Sequence, residues 1–156
     1  MLILNEKTED IMDFKEMNLS DIPVVSKMYV DAFNSEPWND QWTINTASKR
    51  LYDMLNTEVS YGLLAYEDNI LCGMVLGCEE QYYNGVMFNI KEFCVDNSFR
   101  GKGIGSNILL EFEKRLKLKG ISEIILFTSR NNLTEGFYNK MNYKSYNHLV
   151  LMGKEL

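Results

Sequence analysis

The chain has 156 residues, of which 46% are hydrophobic and 12% aromatic, a composition typical of one globular domain with a single core. Its formal net charge is −6, and no apolar stretch approaches the ~18 residues of a membrane-spanning helix. The N-terminus also lacks the basic start and apolar core of a signal peptide, so we expect a cytoplasmic protein with no membrane partner. Residues 1–9 are predicted to form a tail or an added edge strand, and residues 10–156 a single domain.

Cysteine and histidine usage excludes several chemistries. Cys72, Cys78 and Cys94 are odd in number and form no C-x-x-C pair, which argues against a disulfide framework or a zinc site. His148 is the only histidine, so Ser-His-Asp, Cys-His and multi-histidine metal chemistry lack their residues. We therefore predict buried thiols and no metal.

The charge is divided unevenly along the chain. Residues 1–99 hold 17 acids and 6 bases, whereas residues 100–156 hold 5 acids and 10 bases. The first part suits cations and the second suits anions, although solvated charged faces would give the same pattern. Nucleic acid is disfavoured as the main partner, because most of the chain would repel phosphate.

The first half of the chain predicts a strand, two helices and three strands. A strand over residues 11–17 precedes a helix that ends near Phe33, and a loop over residues 34–42 leads to a second helix that Thr43 caps and that ends at Leu55. Apolar runs over residues 61–66 and 70–78 flank a hairpin turn, and a further strand covers residues 86–95.

The second half predicts helices alternating with strands. A helix over residues 104–119 is closed by Gly120 in a left-handed conformation, and a strand over residues 121–127 follows. A helix over residues 133–140 and strands over residues 142–146 and 148–152 complete the order β-α-α-β-β-β-α-β-α-β-β. This order predicts an α/β fold with a mixed sheet, in which the strands before and after the first of these helices run parallel.

The turn between strand and helix, Arg100-Gly101-Lys102-Gly103-Ile104-Gly105-Ser106, is typical of a pyrophosphate-binding site. Glycines allow close approach of an anion, Arg100 and Lys102 supply positive charge, and the helix contributes free N–H groups. A Walker A loop is excluded, because no Gly-Lys pair in the turn precedes Ser or Thr. A dinucleotide fingerprint is disfavoured, because the glycines run G-x-G-x-G and Glu123 opens the next apolar run instead of closing it.

Arg100, Gly103 and Gly105 match the pattern Q/R-x-x-G-x-G/A, which resembles the acetyl-CoA-binding turn of the GNAT superfamily of N-acetyltransferases. A second segment, Asn131-x-x-Thr134-x-x-Phe137-Tyr138-x-Lys140-Met141-Asn142-Tyr143, is similar to the family's N-x-x-A-x-x-F/L-Y-x-K-x-G-F segment. Asn142 stands where glycine is usual, and asparagine tolerates the left-handed conformation needed at a helix end. The resemblance covers Phe88 to Tyr143 and implies the GNAT fold.

The resemblance also implies how acetyl-CoA is held. The strand before the turn splays from its parallel neighbour, so that main-chain groups of Phe93, Cys94 and Val95 meet the pantetheine arm. The remaining cofactor residues are Arg100, Gly101, Lys102, Gly103, Ile104, Gly105, Ser106, Asn131 and Tyr138.

The same resemblance makes Tyr138 the acid that protonates the departing thiolate when an amine attacks directly in a ternary complex. Glu92 is the candidate base, because an amine must lose a proton before or during attack. Strand alternation places Glu92 on one face with Ile90 and Cys94. Its role as base, substrate anchor or surface charge stays open.

The acidic first part of the chain predicts a cationic acceptor. Glu36, Trp38, Asp40, Trp42 and Glu80 are the candidate substrate residues, because carboxylates and indole rings both attract ammonium groups. The loop is similar to loops of aminoglycoside 6′-N-acetyltransferase-like members, which suggests an aminoglycoside or polyamine. A protein N-terminus or lysine, packing roles for both tryptophans, a homodimer, and a non-catalytic CoA-binding module all stay open.

Overall fold

A computed structural model describes residues 11–156, so the predicted tail or edge strand over residues 1–9 lies outside the described residues. The elements in chain order are β1 (Met12–Glu16), α1 (Ile22–Phe33), α2 (Ile44–Leu55), β2 (Ser60–Glu67), β3 (Ile70–Tyr82), β4 (Gly85–Val95), α3 (Ile104–Leu118), β5 (Glu123–Leu126) and α4 (Glu135–Lys140). The expected mixed α/β fold is confirmed. No helix between residues 11 and 156 combines the length and apolar character needed to cross a membrane.

Within residues 11–156, the strands form one sheet in the order β1-β2-β3-β4-β5. All neighbours are antiparallel except β4 and β5, which run parallel. The predicted crossover through α3 is therefore confirmed. Helices α1 and α2 cover one face of the sheet and α3 covers the other, so two apolar clusters form the core.

Several local predictions hold for the reasons given by the sequence. The Thr43 hydroxyl accepts a hydrogen bond from the N–H of Thr46 at 3.1 Å and so caps α2. Gly120 has φ 85° just beyond α3, and Asn142 has φ 67° just beyond α4. Both residues stop their helices in the left-handed conformation that glycine and asparagine tolerate.

A bulge in β4 breaks the predicted alternation. Leu76 pairs with Glu92 while Gly77 pairs with Ile90, so Lys91 is an extra residue on β4. Glu92 therefore shares a face with Cys94 toward α1 and α2, whereas Ile90 belongs to the cluster on the α3 face. The prediction that Glu92 and Ile90 share a face is wrong, because the extra residue reverses the alternation.

The two predicted C-terminal strands are also wrong. Residues 142–146 and 148–152 join no ladder with β5, and residues 149–152 are 62–85% exposed. Side-chain hydrogen bonds hold the start of this segment instead, from Tyr143 to Glu113 on α3 at 2.9 Å and from Tyr146 to Glu123 on β5. Apolar alternation alone does not make a strand where no backbone partner is engaged.

The bulge depends on a close backbone approach at Gly77. A Cβ at this position would lie 2.1 Å from the carbonyl oxygen of Asn89 and 2.7 Å from the Phe88 ring. Gly77→Ala should therefore lower the free energy of unfolding by about 1–3 kcal/mol, as overpacking does. Chemical denaturation measures the change.

Gly136→Ala is the matched control, because the atom nearest to its added Cβ is the Cβ of Asn132, 3.7 Å away. Its stability should stay within about 1 kcal/mol of the parent. Equal stability of the Gly77 and Gly136 variants would contradict the tight approach at the bulge.

Candidate active site

The edge of β4 is open toward β5 beyond the bulge. Parallel pairing ends at Ile90 opposite Leu126, while the other edge of β4 stays paired with β3 as far as Val95. The N–H of Asp96 donates to Cys72 on β3 at 2.8 Å, so alternation turns the main-chain groups of Phe93 and Val95 toward the open edge.

By the same alternation the backbone of Cys94 faces β3. Its side chain is buried, and burial raises the pKa of the Cys94 thiol. A thiol with a raised pKa is a poor nucleophile at neutral pH. The arrangement leaves two residues, Phe93 and Val95, to offer hydrogen bonds at the edge.

The glycine turn ends in an uncapped helix N-terminus. Gly103 has φ 77° and precedes α3, whose first turn has no side-chain cap and no acidic residue. A Cβ at Gly103 would meet no atom within 4 Å, so the backbone at this position is open to approach. Gly105 instead faces protein, because its Cβ would lie 3.6 Å from Phe137 and from Val95. Free N–H groups at the positive end of a 15-residue helix suit an anion.

The two cations of the turn point in different directions. Arg100 donates to the carbonyl oxygens of Glu36 at 2.7 Å and Ala32 at 3.0 Å, and its guanidinium lies 5.6 Å from the centre of the Trp38 ring. Lys102 is exposed, with its ammonium 5.4 Å from the Phe99 ring. Arg100 thus faces the segment between α1 and α2, and Lys102 stays at the turn.

Glu92 lies in a buried cluster that the sequence did not reveal. Its side chain is 6% exposed, one carboxylate oxygen is paired with Arg50 on α2, and the other accepts a hydrogen bond from the Tyr29 hydroxyl at 3.1 Å. Burial raises the pKa of Glu92, and the Arg50 guanidinium opposes this rise. A surface-charge role is excluded by the burial.

Sequence reasoning missed Arg50 and Tyr29 because they lie 42 and 63 residues from Glu92. One weak signal was available for Arg50. It directly precedes Leu51, which is fully buried in the middle of the amphipathic helix α2.

Tyr138 lies on α4 beside the open edge. Its ring packs near Phe93, Phe137 and Tyr143, with centroids 6.3, 5.1 and 5.6 Å away. Burial raises the pKa of the Tyr138 hydroxyl, which keeps the proton on oxygen at neutral pH. Asn131 instead shapes the approach to α4, because its side-chain oxygen accepts from the N–H groups of Leu133 and Thr134.

A cleft of about 400 Å³ brings most of the predicted catalytic and acceptor residues together. Its lining includes Trp38, Asp40, Trp42, Glu92, Phe93 and Tyr138, together with Tyr29 and Arg50. Two predicted substrate residues are not part of this lining: Glu80 accepts a hydrogen bond from Asn89 at 3.0 Å, and the main chain of Glu36 is held by Arg100.

The tryptophans both pack and line the cleft. Trp38 lies edge-on to Phe33 at 5.1 Å, and Trp42 lies edge-on to Tyr29 at 5.2 Å. The Trp42 indole N–H also donates to Asp40 at 3.0 Å. Arg50 lies 5.8 Å from the Trp42 ring, so one cation is already next to each indole.

Comparisons with known proteins agree with this fold. The chain is 33% identical over 73 residues to an uncharacterized N-acetyltransferase of Chlorobaculum tepidum; the match covers 46% of this chain and 44% of that protein, less than half of its length. A GNAT family acetyltransferase from Staphylococcus aureus has a TM-score of 0.72 at 21% identity, covering 93% of this chain and 98% of that one.

An aminoglycoside N-acetyltransferase solved in complex with CoA has a TM-score of 0.70 at 16% identity, covering 94% of this chain and 96% of that one. These structural likenesses concern the fold. The family model for the acetyltransferase (GNAT) domain matches residues 59–145, more than half of the chain. The protein therefore belongs to the GNAT acetyltransferase family, a family of acyltransferases.

Proposed function

We propose that this protein transfers the acetyl group of acetyl-CoA to a primary amine by direct attack in a ternary complex. The observation that carries the proposal is that one cleft is lined by Phe93 of the open β4 edge, Tyr138 and Glu92. An acyl acceptor, a proton acceptor and a proton donor must all meet the reacting carbonyl in such a reaction.

Acetyl-CoA would be held by groups of the turn and the open edge. The free N–H groups of α3 and the Lys102 ammonium suit the pyrophosphate, and the main chain of Phe93 and Val95 suits the pantetheine arm. The space above Gly103 fits this assignment, because a side chain there would fill it. When bound, acetyl-CoA supplies the activated acetyl group.

Glu92 and Tyr138 would manage the protons. The amine nitrogen forms the new C–N bond as the C–S bond breaks, and the amine proton passes to the Glu92 carboxylate directly or through water. Tyr138 gives its proton to the thiolate, a transfer that is uphill by the reference pKa values of ~8.5 for a thiol and ~10 for tyrosine. Burial raises the pKa of Tyr138 and makes the transfer more uphill in the free protein. The Glu92 carboxylate accepts hydrogen bonds from Arg50 and Tyr29, and its two oxygens have further lone pairs that could accept from a substrate. The alternative role of Glu92 is therefore to anchor the ammonium group of the acceptor.

The acceptor is proposed to be a small cationic amine. Asp40, Glu92 and the two indoles of the cleft support this class, and the aminoglycoside N-acetyltransferase to which the chain is similar lends it analogy. Lys91 and Arg50 also line the cleft and balance its two carboxylates, and Arg50 and Arg100 already lie beside the two indoles. The chain-wide acidity adds little, because Asp53 is paired with Lys49 at 2.6 Å and Glu80 is bonded to Asn89.

Arg50 favours a second acceptor class. Its Nε is paired with Glu92, and its side chain is 42% exposed in the cleft. The terminal nitrogens of a guanidinium can hold a carboxylate in two parallel hydrogen bonds. An amine that also carries a carboxylate, such as an amino acid or a short peptide, would use Arg50 in this way.

Thiol release from acetyl-CoA with an amine panel tests the proposal. The panel pairs polyamines and aminoglycosides with amino acids, their amides, and peptides with free N-termini or lysines. Release with polyamines or aminoglycosides supports the cationic class, and release with amino acids but not their amides supports the second class. Binding of acetyl-CoA without release on any amine would instead indicate a non-catalytic CoA-binding module.

Gly103→Glu should abolish acetyl-CoA binding, because its carboxylate would occupy the pyrophosphate space and repel the phosphates. Gly120→Glu is the matched control: it adds the same charge and the same roughly 1–2 kcal/mol of left-handed strain at the far end of α3. Calorimetric titration with acetyl-CoA measures both. Equal affinity of the two variants would contradict the cofactor site.

Tyr138→Phe should lower kcat by roughly ten- to a thousand-fold with little change in acetyl-CoA affinity, as loss of a general acid does. Tyr143→Phe is the control, because it removes a hydroxyl that bonds Glu113 on α3 and does not line the cleft. Steady-state kinetics with the best amine of the panel distinguish them. Full turnover in Tyr138→Phe would reduce Tyr138 to a packing residue.

The pH profile tests Glu92 as the base. Activity would then rise as Glu92 loses its proton, and the Arg50 cation lowers the pKa of Glu92 relative to burial alone. Arg50→Met should therefore move the acid limb of kcat/KM to higher pH, whereas Arg50→Lys should leave it near its original position. An acid limb that is identical in Arg50→Met and the parent would mean that the ionised Glu92 carboxylate takes no part in the reaction, either as base or as anchor.

A further inference from the structure

Arg100 connects the glycine turn to the segment between α1 and α2, here called the acceptor loop (residues 34–42). Its two terminal nitrogens donate to the carbonyl oxygens of Ala32 and Glu36, and its guanidinium lies against the Trp38 ring. Trp38 and Asp40 of this loop line the cleft. One side chain therefore joins the turn proposed for acetyl-CoA to residues proposed for the acceptor.

The contact fits the chemistry of a helix end. The last carbonyl groups of a helix lack intrahelical partners, and a cation near them is favourable. Arg100 supplies both a donor and a positive charge at the end of α1, and the neighbouring Asn97 donates to the carbonyl oxygen of Asp31 at 3.0 Å. The segment directly before the glycines thus closes the C-terminal end of α1.

The same contacts limit what else Arg100 can do. Each terminal nitrogen donates to a carbonyl, which engages two of the five guanidinium N–H donors and directs the side chain toward α1 and the acceptor loop. Lys102 of the same turn is exposed, and its ammonium lies near the Phe99 ring instead of the acceptor loop. The contacts of Arg100 therefore favour a role at the acceptor loop, and its contact with the pyrophosphate stays a prediction.

We propose that Arg100 is a positioning residue of the acceptor site: it holds the acceptor loop against the cofactor turn, so that acetyl-CoA binding and the placement of Trp38 and Asp40 are coupled. The proposal rests on the proposed function, because it takes the turn as the acetyl-CoA site. Only a planar fork with two donors reaches both carbonyls, so lysine can replace the charge but not both hydrogen bonds.

Tryptophan fluorescence gives a direct readout, because Trp38 and Trp42 are the only two tryptophans of the chain. In a Trp42→Phe background the signal comes from Trp38 alone. Acrylamide quenching reports the exposure of that ring, and calorimetric titration with acetyl-CoA reports cofactor affinity. The matched set is Arg100→Ala, Arg100→Lys and Lys102→Ala.

We expect Arg100→Ala to increase Trp38 quenching at least twofold in the free protein and to abolish the change that acetyl-CoA produces in the parent. Arg100→Lys should keep part of the protection of Trp38 from acrylamide. If Arg100→Ala does not fold, Arg100→Lys is the variant to compare with the parent. Acetyl-CoA affinity should stay within roughly threefold in the Arg100 variants. Lys102→Ala should weaken acetyl-CoA binding but leave Trp38 quenching of the free protein unchanged.

Unchanged quenching in both Arg100 variants would overturn the proposal. A second result would also overturn it: Arg100→Lys loses as much acetyl-CoA affinity as Lys102→Ala while its Trp38 response to acetyl-CoA stays normal. That result would make Arg100 a phosphate ligand. Failure of the proposed function gives a different result, in which the unaltered protein does not bind acetyl-CoA. That result overturns the coupling between cofactor binding and the loop. Quenching of the free protein still reports whether Arg100 holds the loop.

Discussion

The extra residue in β4 is the constraint on which the cleft depends. Lys91 stands opposite no residue of β3, and the ladder crosses from Ile90 to Glu92 at that point. Bulges bend a strand and increase its twist. Pairing with β5 ends at the same place, so the main chain of Phe93 and Val95 is left open while Glu92 turns toward α1 and α2. A single local irregularity therefore aims both the open edge of β4 and the Glu92 carboxylate into one cleft.

The reversed alternation places a charge in an apolar layer, and the fold compensates through two helices. Glu92 is buried between Arg50 of α2 and Tyr29 of α1. Buried carboxylates need such partners, and removing one partner of a buried pair costs about 3–5 kcal/mol. The cluster therefore ties both helices to β4, and Arg50, which pairs through its Nε, also lines the cleft. The geometry of the cleft and the packing of the two helices depend on the same three side chains.

The sequence predicted what local pattern determines. The capping of α2 by Thr43, the left-handed stops at Gly120 and Asn142, and the crossover through α3 all follow from neighbouring residues. The bulge in β4 does not follow from neighbouring residues, because it arises where Gly77 of β3 allows the backbone of β4 to approach closely. The Glu92 cluster and the Arg100 contacts join residues more than 40 positions apart. For the C-terminal segment the local pattern was misleading. Its apolar alternation predicted strands, but the segment is held by side-chain hydrogen bonds to Glu113 and Glu123 and not by a backbone ladder.

A crystal structure of the protein with acetyl-CoA would show whether one cleft joins the open edge of β4 to the proposed acceptor residues. We predict the pyrophosphate at the N–H groups of the first turn of α3, the pantetheine arm along Phe93 and Val95, and the thioester between Glu92 and the Tyr138 hydroxyl. A thioester on the other side of the sheet, or an arm that leaves the edge of β4 unpaired, would contradict it.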